Sequence, residues 1–238
     1  MKRILSIIGA AIVLTACGGG GDDAPATTAE GFWFGTASTG EDVTLAILDN
    51  GETWGVYTSG SLIEGVLYGR TTSSGTSLSG SGTAFNLGSR TSTTATYSGT
   101  FNSKANISVR SSDGGSFSGT YERDYDVAPS LTAMAGTFTG TGVSATTAPQ
   151  SASVTISSTG AITVPASLGC SASGTASPRP SGKNIFDVSV TFSGSSCALG
   201  NGGTATGIAY YDTVERSLTV LALNSGKTDG FIYVGSKP

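Results

Sequence analysis

The side chains that could do chemistry in this chain are carboxylates and hydroxyls, because the sequence contains no histidine. This excludes Ser-His-Asp and Cys-His catalysis, a histidine-bound zinc and the usual general base near neutral pH. Carboxylate pairs could still hydrolyse glycosides. Acids beside turns or at strand ends are typical of solvated surface charge, so we expect no catalytic residue and no enzyme activity. The acids in such positions are Glu41, Asp42, Glu52, Glu64, Glu122, Asp124, Asp126, Asp187, Asp212 and Glu215.

Two acidic segments have the residue types of a calcium site. Asp22-Asp23 lies in a Gly-rich stretch, and Asp49-Asn50-Gly51-Glu52 reads as a turn. Neither has the alternating ligand register of an EF-hand loop. We therefore expect no bound metal and no cofactor.

The N-terminus has the three parts of a secretory signal peptide. Lys2 and Arg3 are followed by an apolar run from Ile4 to Leu14 and then by small residues. Crossing a bilayer as a helix takes roughly 20 apolar residues, so this shorter run predicts a cleaved signal rather than a stable span.

The end of that segment, Leu14-Thr15-Ala16-Cys17, resembles the bacterial lipobox. The resemblance implies a signal peptide over residues 1–16 and diacylglycerol on the Cys17 sulfur, with fatty acyl chains that anchor the protein in a membrane. Gly18, where an aspartate would retain the protein at the inner membrane, implies the outer membrane and leaves its face open. An ordinary signal peptide with a stray cysteine is the alternative. Residues 17–30 are rich in Gly, Ala, Pro and Thr and predict a flexible tether.

The charge balance argues against nucleic acid as a partner. The chain has 12 Lys and Arg against 16 Asp and Glu, and Lys2 and Arg3 belong to the predicted signal peptide. There is no basic cluster that could follow a phosphate backbone.

Once Cys17 is acylated, Cys170 and Cys197 are the two cysteines left. An exported protein meets an oxidising compartment, which favours a disulfide between them. Two free buried thiols are the alternative.

Beyond the tether, short alternating runs with Gly, Asn, Asp or Ser between them predict an all-β, antiparallel meander without substantial helix. A break with Pro129 separates eight candidate strands from eight more. We predict a first unit over 31–126, a linker over 127–134 and a second unit over 135–238. Eight strands can close into a barrel, which removes exposed edges and leaves an interior filled by side chains or holding one small ligand.

The two units share motifs in the same order, which suggests an internal duplication. The segment Gly31 to Thr36 parallels Gly136 to Thr141. Val43-Thr44-Leu45 likewise parallels Val154-Thr155-Ile156, and Leu78 to Ala84 parallels Cys170 to Ala176. Abundant Gly and Thr alone would produce part of this similarity.

Gly31-Phe32-Trp33 resembles the Gly-x-Trp opening of the calycins, the lipocalin and avidin families, and Gly119-Thr120-Tyr121 is common in such meanders. With the lipobox, the chain also resembles β-barrel surface lipoproteins such as factor H binding protein and transferrin-binding protein B. These resemblances imply barrels. No motif of the surface lipoproteins can be placed residue by residue, so their partners do not carry over.

The aromatic residues Trp33, Trp54 and Tyr57 are the candidate ligand-binding residues. Strand alternation turns Phe32 and Phe34 away from Trp33, and Trp54 away from Tyr57, so one set lines the core and the other is exposed or binds something. Core packing of both tryptophans is the alternative to a binding platform. We expect a non-enzymatic module that binds a host or envelope macromolecule. A carrier of a small apolar ligand and a passive structural protein are the alternatives.

Overall fold

The computed structural model describes residues 27–60 and 62–238. They form two closed, eight-stranded antiparallel barrels in tandem, as the sequence predicts. The predicted signal peptide, Cys17 and the tether up to residue 26 lie outside the described residues. Within the described ranges, no helix is long and apolar enough to cross a membrane.

Within each barrel, every strand pairs with its sequence neighbours, and the first strand pairs with the last. The first barrel contains β1 (Gly31–Ala37), β2 (Asp42–Ile47), β3 (Glu52–Ser59), β4 (Leu62–Ser74), β5 (Ser77–Asn86), β6 (Thr91–Asn102), β7 (Asn106–Ser111) and β8 (Ser116–Glu122). The second contains β9 (Gly136–Ser144), β10 (Gln150–Ile156), β11 (Ala161–Ser167), β12 (Cys170–Pro178), β13 (Phe186–Ser193), β14 (Thr204–Asp212), β15 (Ser217–Leu223) and β16 (Gly230–Ser236).

Local turn chemistry fixes the hairpins. Gly51 ends the turn between β2 and β3 at a φ of +79°, and its N–H donates to Leu48 O at 2.8 Å. A side chain at Gly51 would also collide with Thr71 O, which lies 2.4 Å from an ideal Cβ. Glycine is therefore required at this position both by backbone conformation and by close approach.

Alternation along each strand separates the interior of the second barrel from its surface. On β13, Phe186, Val188 and Val190 are buried while Ser189 and Thr191 are exposed. The inward side chains form one continuous cluster that fills this barrel. Dense packing of this kind is what stabilises a closed barrel without a ligand.

A short helix, α1 (Leu131–Met134), seals one end of the second barrel. The Ser130 hydroxyl caps it by accepting from Ala133 N at 3.2 Å, and Met134 is fully buried in the core. The ammonium of Lys237 donates to the carbonyls of Ala133 and Ala135 at 2.6 and 2.9 Å. The predicted linker over 127–134 thus contributes a plug to the barrel that follows it.

The two barrels pack against each other through outward-facing apolar side chains. Phe32 on β1 and Trp54 on β3 are buried in a cluster that includes Ile208 and Leu221 of the second barrel. The rings of Phe32 and Tyr210 meet edge to face with centroids 4.5 Å apart. The second barrel therefore covers apolar surface that alternation places on the outside of the first.

Ion pairs lie beside this apolar contact. Arg179 binds Asp49 of the first barrel at 2.7 Å and Asp187 of the second at 2.6 Å. Asp126 accepts from Lys104 at 2.8 Å and from Lys183 at 2.7 Å. Partial burial acts to raise the pKa of Asp126, but the hydrogen bonds and charges of the two lysines outweigh it and lower the pKa to about 2.

Candidate ligand cavity in the first barrel

The first barrel encloses a cavity of about 500 Å³ that opens at one end. We call this end the mouth; residues 38–41, 87–90 and 112–115 form turns there. Ligand pockets in proteins span about 300 to 1,000 Å³. The cavity is thus large enough for one small organic molecule.

The opposite end of the first barrel is closed. Trp33 is fully buried there, packed with Leu78, Phe101 and Ile107, and its indole N–H donates to Ala29 O at 3.0 Å. Ala29 is fully buried too, although it belongs to the segment predicted as a tether. The cavity is therefore a cup with a packed floor.

Small residues at inward positions leave the cup hollow. Gly65, Gly82, Ala84 and Ala95 all face the cavity. Larger apolar side chains complete the wall beside them: Val43, Leu45, Ile47, Leu67, Leu78, Phe85, Val109 and Phe117. This lining favours a ligand whose body is apolar.

A chain of hydroxyl groups crosses the deeper part of the cavity wall. Thr53 Oγ1 lies 2.7 Å from Thr71 Oγ1, which lies 2.9 Å from the Tyr97 hydroxyl. Tyr97 in turn donates to Arg70 O at 3.0 Å. These polar groups satisfy one another, so an apolar ligand above them leaves none without a partner.

The mouth is polar and acidic. Glu41, Glu64 and Asp113 line it together with Tyr57. Burial raises the pKa of Tyr57, and the charges of Asp113 and Glu41 raise it further, so its phenol stays neutral and can donate a hydrogen bond. Hydrogen bonds from the Ser111 hydroxyl and from Gly115 N–H lower the pKa of Asp113, which is therefore ionised at neutral pH.

The three aromatic candidates from the sequence do not form one surface. Trp33 belongs to the floor of the first barrel, and Trp54 is buried at 4% exposure between the barrels. Tyr57 alone lines the cavity. The alternation expected from the sequence thus places the two tryptophans on opposite faces of the barrel wall.

A second concave region of about 440 Å³ lies between the barrels. Trp54 lines it, and within residues 27–60 and 62–238 its indole nitrogen has no hydrogen-bond partner. At its sides, the Lys227 ammonium bonds the Tyr68 hydroxyl and Arg179 binds two aspartates. Because its cations are already engaged, this cleft has a less distinct chemical preference than the cavity.

The predicted disulfide between Cys170 and Cys197 is confirmed, with the two Cα atoms 4.9 Å apart. It ties the loop over 194–203 to the start of β12, at the end of the second barrel that corresponds to the mouth of the first. Leu199 of this loop packs on the core cluster. The second barrel is therefore closed where the first is open.

Sequence reasoning did not single out several residues of the cavity. Asp113, Thr53, Thr71 and Tyr97 are not among the candidate residues that the sequence predicts. In a closed antiparallel meander, alternate turns meet at one end, so the turns after β1 and β7 must approach each other. That rule would have brought Glu41 and Asp113 together.

A scan against protein-family models finds no match to this chain, and a search of curated proteins finds none either.

Proposed function

We propose that the protein is a lipid-anchored envelope protein that binds one small ligand with an apolar body inside its first barrel. The observation that carries this proposal is the open cavity of about 500 Å³ with a largely apolar wall. The proposed role is binding or carriage without catalysis.

The contrast with the second barrel supports this function. An eight-stranded barrel can fill its own interior with side chains, as the cluster around Phe138 and Val190 does. An unfilled interior forgoes packing contacts that would stabilise the fold. A hollow barrel is thus expected where a ligand supplies those contacts.

The geometry favours a small ligand over the macromolecular partner expected from the sequence. A macromolecule needs an accessible outer surface of at least about 1,000 Å². The outward apolar residues Phe32 and Trp54 are already covered by the second barrel. Of the two concave regions described above, the one with the more apolar lining faces the interior of the first barrel.

Binding of the neutral fluorescent probe N-phenyl-1-naphthylamine tests the proposal. We expect saturable binding of one probe per chain. In the A84F/A95F double variant, two phenyl rings occupy the cavity and should weaken binding by about tenfold or more. The matched control T94F/T96F adds two phenyl rings to the exposed face of β6 and should bind like the unmodified protein. Unchanged binding in A84F/A95F would refute the proposal.

The membrane anchor is part of the proposal and follows from the lipobox resemblance. Cys17→Ala should leave the barrels folded and release the protein from the membrane fraction, because the lipid is the sole proposed anchor. Fractionation of cells that express the two forms provides the measurement. An acyl-deficient protein that stays in the outer membrane would contradict this placement.

A further inference from the structure

The charged residues that line the cavity of the first barrel all carry the same sign. They are Glu41, Glu64 and Asp113, and the remaining lining residues are neutral. A concave site with walls of low dielectric focuses the field of such charges. The cavity therefore has a negative entrance above an apolar interior.

Each of the three acids reaches the mouth from a different element. Glu41 follows the turn after β1, and Asp113 belongs to the turn after β7. Glu64 is the extra residue of a bulge in β4, where the register with β3 shifts between Tyr57 and Thr58. A bulge turns its side chains away from the regular alternation, which is how an acid on a strand comes to line the mouth.

The acids at the mouth differ from the three acids of the fold that form salt bridges. Asp49, Asp126 and Asp187 each bind a lysine or arginine at 2.8 Å or less. Within the part of the chain that the structure describes, none of the salt bridges involves Glu41, Glu64 or Asp113. In the described ranges, therefore, no lysine or arginine neutralises the charge at the mouth.

A metal ion does not explain these acids. Across residues 27–60 and 62–238, no group of three or more acids, cysteines or histidines is close enough to hold one. Carboxylates that surround an opening at larger separation match the size of an organic cation better. Tyr57, which lies among them, adds an aromatic face that attracts organic cations.

We propose that the ligand of the first barrel is a cationic amphiphile. An amine or quaternary ammonium group lies at the mouth against Glu41, Glu64 and Asp113, and the apolar part fills the cavity below. This inference rests on the proposed function, because it assumes that the cavity binds a ligand, and it adds the charge of that ligand. A fatty acid bound in the same orientation would place its carboxylate against three negative charges.

Three probes with the same ten-carbon chain separate the effect of headgroup charge on affinity from that of the apolar chain. They are decyltrimethylammonium, decanol and decanoate. Calorimetric titration of the full mature protein at pH 7, below the micelle concentration of each probe, gives their affinities. Each partly exposed ion pair increases the affinity only by a small factor. We therefore expect the ammonium to bind about tenfold more tightly than decanol. Decanoate should bind more weakly than decanol.

The triple variant E41Q/E64Q/D113N should lose the preference for the ammonium and keep its affinity for decanol. The matched control D42N/E122Q/E215Q removes the same amount of charge from exposed positions outside the cavity and should keep the preference. Added salt provides a test without substitutions, because it should weaken binding of the ammonium and leave decanol unchanged.

The outcomes separate the two proposals. Equal affinities for the three probes would overturn the cationic ligand and leave the binding function in place. Failure of all three probes to bind would overturn the binding function itself. A preference for the ammonium that persists in E41Q/E64Q/D113N would show that the mouth acids do not supply it and would also overturn the inference.

Discussion

The two barrels have the same number of strands and the same connectivity, yet one is a cup and the other is a packed solid. In the half nearest the mouth, the first barrel presents Ala84 and Ala95 to its interior. The second barrel places Phe192 and Phe231 against its core cluster, with their ring centroids 5.4 Å apart. Side-chain volume at a few inward positions therefore decides whether a barrel of this type is hollow or filled.

The barrels also differ in how their ends are closed. The first barrel is plugged at one end by Trp33, whereas the second has α1 with Met134 at one end and Leu199 in a disulfide-tied loop at the other. The second barrel also covers the outer wall of the first at Trp54. This arrangement suggests that the packed barrel stabilises the hollow one.

The largest expected difference between the barrels is in the free energy of unfolding that each loses when one interior leucine is replaced by alanine. Leu218→Ala in the second barrel removes a fully buried side chain and should lower the free energy of unfolding by about 4 kcal/mol. Leu67→Ala in the cavity wall should cost only about 1 kcal/mol, because one side of Leu67 already faces open space. Urea titrations followed by circular dichroism measure both losses. Equal losses would mean that the first barrel is as tightly packed as the second.

Removing the disulfide should affect one barrel and not the other. The bridge closes a loop with a sequence separation of 27, and the chain-entropy argument predicts that C170S/C197S loses about 3 kcal/mol of stability. Probe binding in the first barrel should be unchanged at temperatures where the variant is folded. A joint measurement of melting and probe affinity checks this. A parallel loss of affinity would show that the cavity depends on the closed end of the second barrel.

The smallest expected effect concerns the contact between the barrels. Asp126→Asn breaks two partly exposed ion pairs, one to each barrel, and should cost about 1 kcal/mol or less. The pKa of Asp126 is lowered to about 2, so its contribution is complete above its unfolded pKa near 4 and is lost as the pH falls toward 2. The stability difference between D126N and the unmodified protein should shrink over that range. A difference that stays constant from pH 5 to pH 2 would contradict this assignment.

The fold followed from the sequence because strand alternation is a local signal. Gly31 to Thr36 and Gly136 to Thr141 occupy the same place, since each lies in the first strand of its barrel. The parallel between Leu78 to Ala84 and Cys170 to Ala176 does not hold in the structure. The former lies in the fifth strand of its barrel and the latter in the fourth, so this similarity does not reflect equivalent positions and is of the kind that abundant Gly and Thr produce.

The cavity could not be predicted in the same way. Alternation shows which side chains of one strand share a face. Whether Ala84, Ala95 and Tyr57 line a void depends on the volumes contributed by all eight strands together. The role of Trp54 likewise depends on the second barrel, whose contact surface is distant in sequence. These properties arise from packing between elements, which the local pattern of residues does not encode.

The central claim, that the first barrel binds a ligand and the second does not, can be tested most directly by NMR of alanine methyl groups during titration with decyltrimethylammonium. We expect the methyl signals of Ala84 and Ala95 to shift and to saturate at one equivalent, while those of Ala172 and Ala205 in the second core stay in place. Shifts confined to the second barrel, or none at saturating probe, would contradict the account.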